Sequence, residues 1–328
     1  MQYLAYTKEN RIQNLSSLCL ALKINQDDLL EIANNVQAYY KPPYFIDKKN
    51  GGQRCIIDTV DPLKSLLKSI NKVFFKNVYF PEYLTGSVSG SDYISNAQIH
   101  SGLKNVITED ISSFFDHITA QHVYGIWKNF FKFSDPVSQM LTQLTTKDTK
   151  LYHGEIDQEE IKQGRIYQGV PTSSYLANLS LWRNEQWLVN ELHKKGFVYS
   201  RYVDDMTISS PNVISREDKT WVISHLIGML SANGLRIKRS KHAVLTNNKQ
   251  MNIMGLNING SKPTIPEKER DIIRATLHRF DKHPASFSVE DLRSLQGKII
   301  NIRRIHVSKG EKFFKQFKAI LRKNHITI

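Results

Sequence analysis

Phe197-Val198-Tyr199-Ser200-Arg201-Tyr202-Val203-Asp204-Asp205-Met206-Thr207-Ile208 places two adjacent acids between two β-prone arms. The stretch reads as strand, tight turn, strand. Aspartate is common in turns, so a polar hairpin alone would account for one such pair. Adjacent carboxylates between apolar strands repel each other, however, and that costs stability unless a cation is shared there. A second strand end tips the balance. Val106-Ile107-Thr108-Glu109-Asp110 is a β-prone run that also ends in an acid, and Ile111-Ser112-Ser113-Phe114-Phe115 follows it. Neighbouring strands would bring Asp110 beside Asp204. Oxygen ligands of this kind suit Mg²⁺, and two ions roughly 3.5–4 Å apart would serve an in-line nucleotidyl transfer. Glu109 and Asp116 lie close by in sequence. Pleating turns Glu109 away from Asp110, and both read as solvated structural residues.

The rest of the composition fits a partner rich in phosphate. The chain of 328 residues carries 45 Lys+Arg against 31 Asp+Glu, a formal charge of +14. Phosphates release counterions when such cations neutralise them, so the surplus favours a polyanion. With 40% hydrophobic and 23% charged residues the chain reads as globular rather than disordered. Its length suits two compact domains, or one larger body with a small appendage. Cys19 and Cys55 are too few for a disulfide framework or a zinc site, and both are expected to be small buried residues in a reducing compartment. Met1 to Arg11 has no apolar signal core, and no run of about 18 apolar residues occurs. The expected location is the cytoplasm, without membrane association.

Around the acid pairs the elements alternate. Residues 12–40 read as a helical extension, with Leu15, Leu18, Leu29 and Leu30 at helical spacing and Pro42-Pro43 behind it. A hairpin is expected around Asn50-Gly51-Gly52, and a helix carrying Leu63, Leu66, Leu67 and Ile70 after Pro62. A Gly/Ser-rich loop spans 84–92. Strand character returns at 104–111, helices at 120–131 and 173–195, and a short strand at 255–258. The last 65 or so residues form three helical runs. One opens on the capping box Ser288-Val289-Glu290-Asp291 and sets Leu292, Leu295, Ile299 and Ile302 in a stripe. The final run turns Phe313, Phe317, Ile320 and Leu321 inward. Lys312, Lys315, Lys318 and Arg322 fall on or near another face, either a solvated charge run or a phosphate-contacting one.

Three motifs in order carry a family resemblance. Asp110-Ile111-Ser112-Ser113-Phe114-Phe115 and Tyr202-Val203-Asp204-Asp205 resemble the two catalytic motifs of reverse transcriptases. Gln168-Gly169-Val170-Pro171-Thr172-Ser173 between them is similar to the motif that lies against template and incoming nucleotide. The resemblance implies an α+β right-hand polymerase: fingers and palm over 41–260, with an antiparallel sheet, and a helical RNA-binding thumb over 261–328, after the extension at 1–40. It implies Asp110, Asp204 and Asp205 as catalytic carboxylates. Two Mg²⁺ would be bound through them and the backbone carbonyl of Ile111. Arg54 resembles the arginine that grips the triphosphate, a task suited to its guanidinium fork. Phe115 matches the bulky side chain that excludes a 2′-hydroxyl, which argues against RNA synthesis. Gln168 and Gly169 would touch nucleotide. Lys241, after Gly234-Leu235, matches a lysine near the active site, either a general acid for pyrophosphate or an exposed lysine.

Asn96-Ala97-Gln98-Ile99-His100, just before the first motif, is similar to the Asn-Ala-x-x-His element of retron reverse transcriptases. That branch implies a cognate structured RNA and a guanosine 2′-hydroxyl primer. It also implies a branched RNA–single-stranded DNA product (msDNA) and an effector protein acting with it in anti-phage defence. Asn96 and His100, with Arg303, Arg304, Lys312, Lys315, Lys318 and Arg322, are the expected RNA contacts. Departures from the branch are Ile253-Met254-Gly255 in place of Val-Thr-Gly, Ser174 for a second proline, His242 for a threonine and Gly52 for a basic residue. The alternatives are a group II intron or diversity-generating enzyme, or a scaffold docking an effector through the acidic segment Glu155 to Glu160.

Overall fold

The computed structural model describes residues 3–8, 11–47, 52–148 and 164–328. The acidic segment Glu155 to Glu160 lies outside them. Among the described residues the strands are β1 (Ala5–Tyr6), β2 (Tyr44–Asp47), β3 (Gln53–Ile56), β4 (Val78–Tyr79), β5 (Asn105–Asp110), β6 (Val198–Tyr202), β7 (Asp205–Ser210), β8 (Ala243–Thr246), β9 (Asn252–Ile253) and β10 (Leu256–Asn257). Four of them make the palm sheet, in the order β6-β7-β5-β8. The expected α+β right-hand polymerase fold is the one observed. Val106 and Ile107 on β5 are both fully buried although they face opposite ways, so the strand is covered on both faces. That is why its sequence is a β-branched run rather than an alternating one.

The chain divides into two compact units. The first comprises residues 1–91, 108–208 and 214–243; the second comprises 92–107, 209–213 and 244–328. In the first, Phe74, Phe75, Trp127, Phe131 and Phe133 form a buried aromatic core. Trp127 and Phe131 lie 4.8 Å apart between ring centroids, and Phe74 and Phe133 5.2 Å. Each such ring contributes on the order of 1.5–3 kcal/mol by leaving water. The N-terminal helices Leu15–Leu22 and Gln26–Asn34 pack on helices Leu63–Val73 and Asp135–Thr145, with Leu18 and Leu29 fully buried.

Two helices depart from their sequence pattern. The run expected over 120–131 is α-helical only over Ala120–Gly125 and widens into a π turn over Ile126–Phe130. The wider turn, closed by the Phe131 amide on the Ile126 carbonyl at 3.0 Å, lets Ile126, Trp127, Phe130 and Phe131 all reach the interior. The helix expected over 173–195 is two helices, Ser173–Leu179 and Glu185–Lys194. Between them the amides of Ser180, Trp182 and Asn184 bond three residues back, and the Ser180 hydroxyl also donates to the Ala177 carbonyl at 2.9 Å. Serine competing for a helix carbonyl is a known way to bend the helix. Cys55 is exposed, contrary to expectation, because the β2–β3 hairpin has both faces open.

The second unit contains helices Tyr93–Ile99, Glu267–Lys282, Val289–Ile305 and Val307–Lys323. Its core includes Ala97, Val106, Ile273, Leu277 and Phe280, together with Leu292, Leu295, Ile299, Ile302, Phe313, Phe317 and Ile320, which the helical stripes predict. Leu321 is half-buried. The capping box at Ser288 is present, its hydroxyl accepting from the Asp291 amide at 3.1 Å. The turn between β9 and β10 has φ of 51° at Met254 and 77° at Gly255. Two successive left-handed residues are what a tight hairpin of this kind demands, so the glycine is the part of Ile253-Met254-Gly255 that the backbone requires. Among the described residues no helix is long and apolar enough to cross a membrane.

Candidate active site

All three expected carboxylates come together in the first unit. Asp110 ends β5, and the Val203-Asp204 turn joins β6 to β7, which opens with Asp205. The Ile111 amide donates to the Asp204 carbonyl at 2.9 Å, tying the two strand ends together. Asp110 is buried, and it shares a hydrogen bond with Asp205. Burial, followed by the charge of Asp110, raises the pKa of Asp204. Burial and then Asp204 push Asp205 up to about 7. Three acids held where their charges oppose one another create a demand for a cation.

Lys241 meets part of that demand. Its ammonium donates to Asp110 and lies 3.9 Å from Asp205 Oδ1. Burial works to lower the lysine's pKa, but the hydrogen bond to Asp110 and the acidic charges outweigh it and raise the net value. Lys241 sits on the single 3₁₀ turn Arg239–Lys241, held by the Lys238 amide on the Asp110 carbonyl at 2.8 Å. The site also fits a divalent ion. All donors are carboxylate oxygens, the chemistry Mg²⁺ prefers, and Mg²⁺ binds through one or two carboxylates completed by substrate phosphates and water. Among the described residues no three acidic, histidine or cysteine side chains are placed to hold a metal ion by themselves, so an ion here would depend on substrate phosphates and water as well.

Around the acids, Arg54 stands on β3, and its charge favours the ionised form of Asp204. Gln168 accepts from the Ile57 amide at 2.8 Å through its backbone carbonyl. Gly169 has φ of 104°, and a Cβ there would stand 2.7 Å from the Ile57 carbonyl oxygen. Only glycine allows this approach to the end of the β2–β3 hairpin. Phe115 lies in the 3₁₀ turn Phe115–His117, 8% exposed, its ring centroid 6.1 Å from that of Phe114.

Sequence reading missed the supports of the turn. Val203 has φ of 58°, an outlier for a β-branched residue. Arg201 lies fully buried beneath it and donates to the Val203 carbonyl at 2.9 Å. The same guanidinium bonds Glu185 at 2.5 and 2.8 Å and the Asn178 carbonyl at 3.0 Å. Asn178 in turn donates to the Gly86 carbonyl at 2.7 Å. A Cβ on Gly86 would fall 2.4 Å from the Val203 nitrogen, so the Gly/Ser-rich loop packs directly against the turn. An arginine inside a strand run, with a glutamate on a nearby helix, is the signal that could have exposed this network.

Residues 46–258 match the family model for reverse transcriptase (RNA-dependent DNA polymerase). The chain is 33% identical to the Retron Se72 reverse transcriptase of Salmonella heidelberg, over 92% of this chain and 78% of that one. It is 31% identical to the Retron Ec48 reverse transcriptase of Escherichia coli, over 96% and 78%. The chain belongs to the retron reverse transcriptases. It is an RNA-directed DNA polymerase of that type, and the intron and diversity-generating alternatives fall away. Among solved structures, a telomerase from Candida albicans in complex with a fragment of telomeric RNA aligns with a TM-score of 0.48 at 11% identity, over 89% of this chain and 65% of that one.

The expected RNA contacts of this reverse transcriptase divide into two groups. Asn96 and His100, in and just after helix Tyr93–Ile99, are both fully buried. His100 Nδ1 lies 2.6 Å from the Ser209 hydroxyl, and burial lowers its pKa to about 3. A neutral, enclosed imidazole offers phosphate neither charge nor access in this conformation. Lys312, Lys315, Lys318 and Arg322 are exposed. Lys318 lies 4.7 Å above the Phe314 ring, Arg303 pairs with Glu311 at 2.7 Å, and Arg304 pairs with Asp92. Glu109, expected in solvent, is buried and paired with His242 Nδ1 at 2.5 Å. Asp116 is exposed, as expected.

Proposed function

We propose that this retron reverse transcriptase copies part of a structured non-coding RNA into single-stranded DNA at Asp110, Asp204 and Asp205. The observation that carries the reading is the meeting of those three carboxylates, two of them with raised pKa values, beside the lysine ammonium. The acids and the Ile111 carbonyl would hold two Mg²⁺, which when bound activate the attacking hydroxyl and offset charge on the pyrophosphate. Arg54 would grip the triphosphate, and Gln168-Gly169 would line the nucleotide through the backbone. Phe115 would close the space a ribose 2′-hydroxyl needs, making the enzyme selective for dNTPs. Lys241 neutralises Asp110 between turnovers and can give a proton to the leaving pyrophosphate.

The primer in this reading is a guanosine 2′-hydroxyl of the same RNA, so the product is a branched RNA–DNA hybrid. The exposed cations of helix Val307–Lys323 would hold the RNA by its phosphates. An effector partner in anti-phage defence and a cytoplasmic site complete the reading. The decisive experiment is expression with the native upstream locus, beside an Asp204→Ala/Asp205→Ala control. Single-stranded DNA joined to RNA, and released by a debranching enzyme, should appear with wild type alone. DNA synthesis on added primers without any branched product would refute the 2′-hydroxyl primer.

A further inference from the structure

β5 ends in two acids, and the turn that starts at Arg239 runs into Lys241 and His242. Pleating sends Glu109 and Asp110 to opposite faces of the strand. Each meets one member of the next pair: Lys241 donates to Asp110, and His242 Nδ1 lies 2.5 Å from Glu109 Oε1. Glu109 is 1% exposed at its side chain and His242 38%, so the carboxylate is the enclosed partner and the ring reaches in to it. Glu109 Oε2 is buried with no hydrogen-bond partner. A buried carboxylate with one oxygen unsatisfied is held chiefly by the single contact it has. Lys241, by contrast, has 49% of its side chain exposed and several rotatable bonds, so nothing in its own packing fixes where the ammonium sits.

We infer that His242 is a positioning residue for the polymerase reaction: by anchoring to buried Glu109 it pins the turn that holds Lys241 against Asp110. The pin acts on backbone placement. Residues 241 and 242 are bonded neighbours, and the Lys238 amide already donates to the Asp110 carbonyl at 2.8 Å. With both ends of Arg239–His242 tied to β5, the lysine keeps its approach to the carboxylates as phosphates enter and leave. Without the Glu109 anchor the second end is tied to β5 only through β8, which begins one residue later at Ala243, so the Arg239–His242 turn gains slack beside Asp110. Substrate binding elsewhere, at Arg54 and Gly169, is untouched.

The inference rests on the proposed catalytic role of Asp110, and a thermodynamic cycle separates the two. Single-nucleotide incorporation is measured for wild type, His242→Ala, Lys241→Ala, the double variant and Asp110→Ala. His242→Ala is expected to lower kcat about tenfold, with KM for the dNTP within twofold. In the Lys241→Ala background the same change should cost less than twofold, because its target is gone. Equal costs in both backgrounds, or an effect on KM alone, would overturn the positioning role. If Lys241→Ala leaves no measurable rate, Glu109→Gln replaces it in the cycle. Glu109→Gln/His242→Ala should then be no slower than His242→Ala, and an additive loss overturns the proposal. Normal synthesis by folded Asp110→Ala would instead refute the site itself.

Discussion

Burial and Asp204 push the Asp205 carboxyl up to about 7, although 40% of its side chain remains open to water. An unfolded aspartate gives up its proton near 3.8. Between those values the folded protein binds more protons than the unfolded one, so stability without divalent ions falls as pH rises through that window. Asp205→Asn should flatten this slope and raise the melting temperature above pH 7; an unchanged slope in a thermal-shift titration would contradict the assignment. Arg201 is the opposite case, a buried charge fully paired. Arg201→Leu leaves Glu185 buried without its partner and should cost about 3–5 kcal/mol in urea unfolding. A loss below about 1 kcal/mol would show that the pair does not hold the turn. The catalytic candidates were legible because acids at strand ends are chemically conspicuous. Glu109 was not, since its partner His242 lies 133 positions away and nothing local marks it.

At the scale of elements, a strained turn supports the acid pair. The left-handed Val203 is bonded at its carbonyl by Arg201 and packed at its nitrogen by Gly86. Gly86→Ala should therefore cost about 1–3 kcal/mol through overpacking, and slow nucleotide addition as the turn shifts. Gly228→Ala, in a helix interior with nothing within 4 Å, is the matched control and should be neutral or gain up to about 1 kcal/mol. Equal effects in both would remove the turn argument. The sheet, the thumb stripes and the Ser288 cap were readable because each follows from periodicity or a local hydrogen bond. The breaks at 126–130 and 180–184 were not. Periodicity reports that a run is helical on average, whereas a π turn or a serine-bent joint depends on which side chains the core accepts.

For the molecule as a whole, the +14 charge is the feature that ties it to nucleic acid. Lys312, Lys315, Lys318 and Arg322 are exposed on one helix. Replacing all four with alanine should weaken RNA binding and make log K against log[salt] shallower by roughly 3, about 0.7 for each phosphate that these cations neutralise. An unchanged slope would move the RNA elsewhere on the protein. Family and branch were legible from three ordered motifs and from the Asn96 to His100 element, of which Asn96, Ala97 and His100 are buried and Gln98 is exposed. Composition gave the sign of the partner's charge, and could not say which cations face it.

The most direct test is dNTP incorporation on an RNA template by wild type, Asp110→Asn and Asp204→Asn, with circular dichroism confirming that each is folded. These changes keep side-chain size and remove only charge. Both variants are expected to lose at least about a thousandfold in rate, with folding intact. Folded variants that extend a primer at the wild-type rate would contradict the carboxylate assignment, and the chemistry would have to be sought away from the strand ends of the palm.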